Sequence, residues 1–337
     1  MHVHPEPETV TALVRDAITA PSLHNSQPWA FRYVRDIGTL ELRADPDRGH
    51  PVVDPAGRAL HLGCGACLFA LDIAALHRNL DPDVTLLPDL EQPELVASAR
   101  FLRPPTAERM RLAALQPMLR QRHSSRFPYA DAPVDPRICA LLSEAAAREG
   151  ATLDFPGPQA TDTLLDLTEE AWWRDALDTE RAVELRRWTR IGPRASDTAT
   201  DGVPDFAFGP RRRFGRAPVR DFAAGRRLPG RATADFESAP LLAVLLTAHD
   251  TRADWLRAGR ALHRVLLVAT LWDLVASLGT EVLEQPDLRH ELLKSIAGPG
   301  RPGPARTMWP QAVVRLGHGP RGPDSPRRPV QDVLTVE

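Results

Sequence analysis

The stretch Ala20–Val34, APSLHNSQPWAFRYV, changes character twice in a short length of chain. Pro21 and Pro28 bracket a run of small polar residues, and the strand-like WAFRYV follows. Short polar side chains bond to nearby backbone groups, so they favour caps and turns over helix interiors. The preceding run PETVTALVRDAITA (Pro7–Ala20) reads as a helix, with Thr9 as its cap and Pro21 as its stop. The following runs, WAFRYV and LELRAD, read as two strands joined by a short turn at Gly38. The quoted stretch is therefore a helix-ending turn or a turn shaped to hold something.

Further along, Gly57–Leu80 is a long helix rich in Ala and Leu, followed by a short strand near Val84. Thr106–His123 reads as a helix interrupted at Pro117. Asp135–Gly150 is helical, with Asp135 as cap, Pro136 in the first turn and Gly150 as stop. A helix from about Ala160 to Trp188 leads into Thr189–Ala234, where Pro, Gly, Asp and Arg dissolve the pattern. A stretch of that length suggests a lid, a binding element or disorder. APLLAVLLTA (Ala239–Ala248) is a buried strand, Thr251–Gly279 is the strongest helix, and QAVVRLGHG is a late strand. Helices and strands do not alternate strictly, which favours α+β over a doubly wound sheet.

The chain has 337 residues and a formal charge of −2, so nothing in the charge calls for nucleic acid as the main partner. Cys64, Cys67 and Cys139 are too few for a disulfide framework, and Met1–Ala20 lacks the pattern of a signal peptide. The expectation is a soluble, cytoplasmic protein with no membrane partner. Cys64 and Cys67 in GCGACL lack a second ligand pair, so no metal is expected, and the small residues there suit close helix packing.

Two stretches carry a family likeness. PSLHNSQPW (Pro21–Trp29) and QRHSSRFPY (Gln121–Tyr129) resemble the flavin-binding motifs of the nitroreductase superfamily, in inverted order. In ordinary members the basic motif comes first and both recur in each subunit of an intertwined homodimer. The resemblance implies an α+β nitroreductase-like fold of two tandem halves, 1–115 and 116–337, each a mostly antiparallel sheet flanked by helices. Each half keeps the motif that the other has lost, and 189–234 is a lid-like insertion. This arrangement resembles the Acg-type, FMN-binding branch, as do DGVP, DWLRAGRALHRVLL and RRPVQDVL. It implies one complete site and a monomer by internal pseudo-dimer, with a homodimer still possible.

FMN needs charge for its phosphate, hydrogen bonds for its ring edges and an apolar floor. If the basic stretch is extended, Arg122, Ser124 and Arg126 share a face and can converge on one anion. The bland alternative is a solvated basic helix end. The resemblance carries His123 into the same motif, and from the other half it places Ser22, Leu23, Asn25 and Gln27 near the ring. Gln27 also fixes the turn, and an amide such as Asn25 offers a donor and an acceptor together. His24 could touch substrate, but reads first as an ordinary polar neighbour. Arg327 and Arg328 match the C-terminal basic element, Arg327 being the first choice. Leu278, Gly279 and Thr280 lie where the family places a loop beside the flavin N5, where a backbone N–H can stabilise charge. Their SLGTE sequence departs from the family's pattern there.

The implied function is an FMN-dependent oxidoreductase acting on a small organic substrate, with NAD(P)H as a possible donor. No acid–base dyad is needed, because the cofactor carries the redox chemistry. The competing reading is an FMN storage or sequestering protein whose lid occludes the flavin.

Overall fold

The structure, a computed structural model, describes residues 2–297 and 308–337. Its helices are α1 (Pro7–Ala17), α2 (Arg58–His77), α3 (Ala107–Met110), α4 (Met118–Gln121), α5 (Pro136–Ala147), α6 (Pro158–Leu177), α7 (Thr179–Arg187), α8 (Pro193–Asp197), α9 (Arg252–Leu271) and α10 (Pro286–Ala297). The strands are β1 (His2–Val3), β2 (Trp29–Val34), β3 (Thr39–Ala44), β4 (Asp81–Leu86), β5 (Leu95–Leu102), β6 (Thr152–Asp154), β7 (Thr189–Arg190), β8 (Val203–Pro204), β9 (Arg211–Arg212), β10 (Thr233–Ala234), β11 (Leu241–Thr247), β12 (Val275–Leu278), β13 (Trp309–Gly317) and β14 (Leu334–Val336). The fold is α+β, with antiparallel pairing dominant.

The first sheet runs β1-β5-β3-β2-β14, with β4 paired to β5. Its last strand comes from the far end of the chain: β14 pairs in parallel with β2, Leu334 opposite Phe31. The second sheet, β12-β13-β11-β6, is wholly antiparallel. Alternate residues of β11 serve opposite faces. Ala243 and Leu245 join the core under α5 and α9, whereas Leu242, Val244 and Leu246 join the core under α6 and α10. Burial on both faces explains why LLAVLL is apolar without alternation.

Helices α2 and α9 pack against each other between the two sheets. A Cβ added at Gly65 would overlap the Leu256 carbonyl, and one at Gly259 would overlap the Leu62 carbonyl, so the backbones touch. GCGACL is thus a packing surface, and the Cys64 and Cys67 thiols donate to the Pro28 and Ala17 carbonyls. By length and composition α2 could cross a membrane, but 89% of its apolar window is buried in the fold, as in a core helix.

Several expected bounds shift. Glu6, not Thr9, caps α1, whose first turn carries Pro7. The helix expected over 251–279 ends at Leu271, where Asp273 takes a left-handed φ of +55°, and its tail is strand β12. The helix expected over 160–188 breaks at Asp178, whose carboxylate accepts the Glu180 and Arg181 N–H groups. Thr106–His123 is α3, a 3-10 turn and α4 rather than one interrupted helix. The 189–234 segment is built rather than shapeless, with Val203, Ala207, Phe208, Phe222 and Ala223 forming its own apolar cluster.

Candidate functional site

The polar turn after α1 is tight. His24, Asn25 and Gln27 all adopt positive φ, +48°, +56° and +53°, a region that costs an L-residue about 1–2 kcal/mol. Local and distant bonds hold it there. The Ser22 hydroxyl oxygen accepts the Gln27 N–H at 2.9 Å. The Gln27 amide donates to the Thr200 carbonyl at 2.8 Å and accepts the Arg328 N–H at 2.9 Å. The Asn25 amide donates to the Gly202 and Pro326 carbonyls, and its oxygen accepts from Arg327 at 2.9 Å. Both amides are therefore fasteners that tie this turn to 200–202 and 326–328.

The basic stretch is extended, as alternation requires. Arg122 has φ −73° and ψ 114°, Ser124 bridges Ala276, and the Ser125 N–H donates to the Ala276 carbonyl at 2.8 Å. Arg122, Ser124 and Arg126 line one cavity, together with Ser22, Leu23 and Asn25 from the other stretch. Leu278, Thr280 and Arg327 line it too. The space measures about 110 Å³, and Val203, Val219 and Phe222 of the 189–234 segment form part of its wall.

Four expected residues lie elsewhere. His123 faces away from Arg122 and Ser124, with Nε2 3.0 Å from Asp324. Gln27 is fully buried in its turn. Arg328 donates to the Gln27, Trp29 and Asp332 carbonyls rather than toward the cavity. The Gly279 N–H is already bonded to the Val313 carbonyl at 3.0 Å, so it is not the free donor expected of that loop.

The cavity's electrostatics are unusual. Among the described residues, Arg58, Arg122, Arg126 and Arg327 line it and none forms an ion pair with a carboxylate. Their partners are carbonyls and amides: Arg122 and Arg327 both donate to the Thr19 carbonyl, Arg126 to that of Ala207, and Arg58 to that of Gln311 at 2.6 Å. Burial, and then the neighbouring Arg327 and Arg321, pushes Arg122 down to about 9. Burial pushes Arg58, Arg126 and Arg327 down to about 10. The Nε atoms of Arg122 and Arg327 have no partner. Asp54 and Glu284 also line the cavity, Asp54 acting on Arg58 without touching it and Glu284 pairing with Arg220. Buried cations without an ion pair of their own are costly, so the grouping of Arg122, Arg126 and Arg327 suits an anion.

Arg220 is the contrast. It donates to Glu284 at 2.5 Å and lies 3.2 Å from Glu281. Burial opposes its charge, yet Glu284 and Glu281 outweigh that and hold its pKa above the ordinary range. Sequence reasoning missed Arg58 and Arg220, and it ranked a substrate contact for His24, which lines the cavity, below an ordinary polar role. A lone arginine opening an otherwise apolar helix was the available signal for Arg58.

The fold and cavity define an α+β protein with a buried, arginine-lined pocket. No family model matches the chain. It is 31% identical over 343 aligned residues to "Putative NAD(P)H nitroreductase Rv3131" of Mycobacterium tuberculosis, covering 99% of this chain and 93% of that protein. It is 28% identical to "Putative NAD(P)H nitroreductase acg" of the same organism, covering 98% and 96%. The chain belongs to the nitroreductase family, among its Acg-like members. Solved structures that resemble it include a nitroreductase with bound FMN from Bacteroides fragilis, 11% identical, TM-score 0.38, covering 64% of this chain and 92% of that one. Another is a nitroreductase-like protein from Bacillus cereus, 13% identical, TM-score 0.35, covering 65% and 92%.

Proposed function

We propose that the protein is an FMN-binding oxidoreductase acting on a small organic substrate, with NAD(P)H as electron donor. The observation that carries this reading is the set of arginines around one cavity, Arg122, Arg126 and Arg327 above all, that form no ion pair with a carboxylate among the described residues. A flavin phosphate brings the missing negative charge and several acceptor oxygens, which guanidinium forks suit. Arg122 and Arg327, which meet at the Thr19 carbonyl, would hold it with the Ser124 hydroxyl. The Ser22 hydroxyl keeps its proton free to donate, since its oxygen accepts the Gln27 N–H. Bound FMN would supply reversible hydride transfer, and the protein's part is binding, orientation and exclusion of water. Relatives named NAD(P)H nitroreductases support the donor.

An Arg122→Ala/Arg327→Ala double variant tests the assignment. Charge-assisted hydrogen bonds contribute about 1.5–3 kcal/mol each, so FMN affinity should fall on the order of 100-fold or more. Unchanged affinity would falsify the site.

A second reading is an FMN-holding protein, favoured by the 189–234 residues that wall the narrow cavity as a lid. Anaerobic mixing of the flavin-loaded protein with NADH or NADPH separates the two. Bleaching of the yellow colour by either nucleotide supports turnover, and persistence with both supports storage.

A further inference from the structure

A second chamber of about 480 Å³ adjoins the arginine-lined cavity, between α6, α7 and residues 210–236. Asp175 and Ala176 of α6 and Ala182 and Leu185 of α7 line it, so those helix faces are occupied. The outer faces are not. Trp173 and Leu177, four apart and so neighbours on α6, are 73% and 84% exposed. Val183 of α7 is 57% exposed, and Arg186 and Arg187 follow three and four residues on, along the same face. Large apolar side chains at a surface are ordinary when scattered singly. Here three stand close together in sequence, where α6 gives way to α7.

A cluster of arginines continues that surface. Arg226 donates to the Thr189 hydroxyl at 3.1 Å, just past the end of α7. Burial, and then Arg186, lowers the Arg226 pKa, so the two guanidinium groups lie close. Arg227 follows, exposed. Arg181, Arg190 and Arg231 pair with Asp175, Asp201 and Asp221. Arg186, Arg187, Arg226 and Arg227 by contrast pair with no carboxylate among the described residues, and Arg186 and Arg187 donate to the Ala182 and Asp47 carbonyls. Glu180 is the exposed carboxylate that α7 sets against them. We propose that this face docks on an anionic bilayer, the arginines meeting lipid phosphates while Trp173, Leu177 and Val183 enter the headgroup boundary. Guanidinium forks match phosphate oxygens, and basic clusters beside Trp and Leu suit a headgroup layer. Trp173 and Leu177 line neither the cavity nor the chamber. They stand clear, and a bilayer takes up such side chains without a matching shape, which a protein partner would have to supply. The expectation of no membrane partner concerned spanning segments, which a surface contact does not need. The inference stands apart from the flavin reading.

The test is co-sedimentation of the full chain with vesicles of phosphatidylglycerol mixed with phosphatidylcholine, beside vesicles of phosphatidylcholine alone. The wild type should bind the anionic vesicles, leave them as salt is raised, and ignore the neutral ones. Arg186→Gln/Arg226→Gln/Arg227→Gln should weaken partitioning on the order of 100-fold, at about fivefold per surface charge. Trp173→Ser/Leu177→Ser should weaken it at least about tenfold. Both variants should keep the wild-type melting temperature, because the side chains they change are exposed. Arg227→Gln, a change at one exposed side chain, repeats the charge test by itself and should cost about fivefold. A wild type that binds neither vesicle, or both alike, overturns the inference. Loss in the arginine variant alone marks a site for a soluble polyanion or an acidic protein, and loss in the apolar variant alone an uncharged adhesion. Either overturns it. Binding that no variant weakens puts the contact on another face and overturns it as well.

Discussion

Gln27 is a buried amide whose partners come from two distant parts of the chain, Thr200 and Arg328. Gln27→Ala would leave the Arg328 N–H and the Thr200 carbonyl to find others, at about 2 kcal/mol of stability. Urea unfolding of the variant should show that loss, and an unchanged midpoint would refute the fastening role. The same residue marks what the sequence could tell at this scale. A cluster of Ser, Asn and Gln between prolines announces a special turn, because such side chains compete for backbone. It does not announce partners found in 200–202 and 326–328, so the joining of three segments by Asn25, which also lines the cavity, went unread. The extended alternation of Arg122, Ser124 and Arg126 was legible, since it depends only on a local period of two.

The crossing of α2 and α9 is the element most exposed to a single change. Gly259→Ala would drive a methyl into the Leu62 carbonyl, and backbone cannot rotate away as a side chain can. Helix propensity favours the alanine by about 1 kcal/mol, so the overlap must exceed that to destabilise. Overpacking of this kind costs about 1–3 kcal/mol, and here it meets backbone, so a net loss of about 1–2 kcal/mol is expected in denaturant titration. A stabilised variant would show that the helices can part without cost. Element reading from sequence worked where apolar residues kept helical spacing, as along α9, whose start a capping box between Thr251 and Asp254 fixes. It failed where the stop was quiet. LWDLVASLG holds no proline or early glycine, and the helix ends because Asp273 turns left-handed, which a short polar side chain tolerates. Strand β5, LVASARFL, went unread because Ala and Ser carry little strand signal.

At the scale of the whole molecule, the site exists only because distant segments meet. The polar turn, the basic stretch, the 189–234 segment and the C-terminal Arg327 all reach one cavity, and β14 anchors the chain end beside β2. Motif order hinted at that convergence, while the chamber beside it depended on packing that no local pattern encodes. Burying so many basic groups has a consequence for acid stability. His263 is fully buried beside the same cavity, where burial, and then Arg122, pushes it down to about 3. Burial pushes His50 down to about 4, and His24 is also well lowered. In the unfolded chain these imidazoles take a proton near pH 6.5, but the folded protein refuses it until far lower pH. The unfolded state therefore binds more protons across that interval, and stability must fall as pH drops below about 6.5. His263 and His50 each contribute roughly 2 kcal/mol of loss between pH 7 and pH 5, His24 adds in the same direction, and the decline continues until the folded-state values are reached. Urea unfolding at the two pH values measures it directly. His263→Phe should reduce the pH dependence by about one histidine's share, although it also gives up the 2.7 Å bond to the Ala66 carbonyl at both pH values. Equal wild-type stability at pH 7 and pH 5 would mean that these rings are not held neutral in the fold.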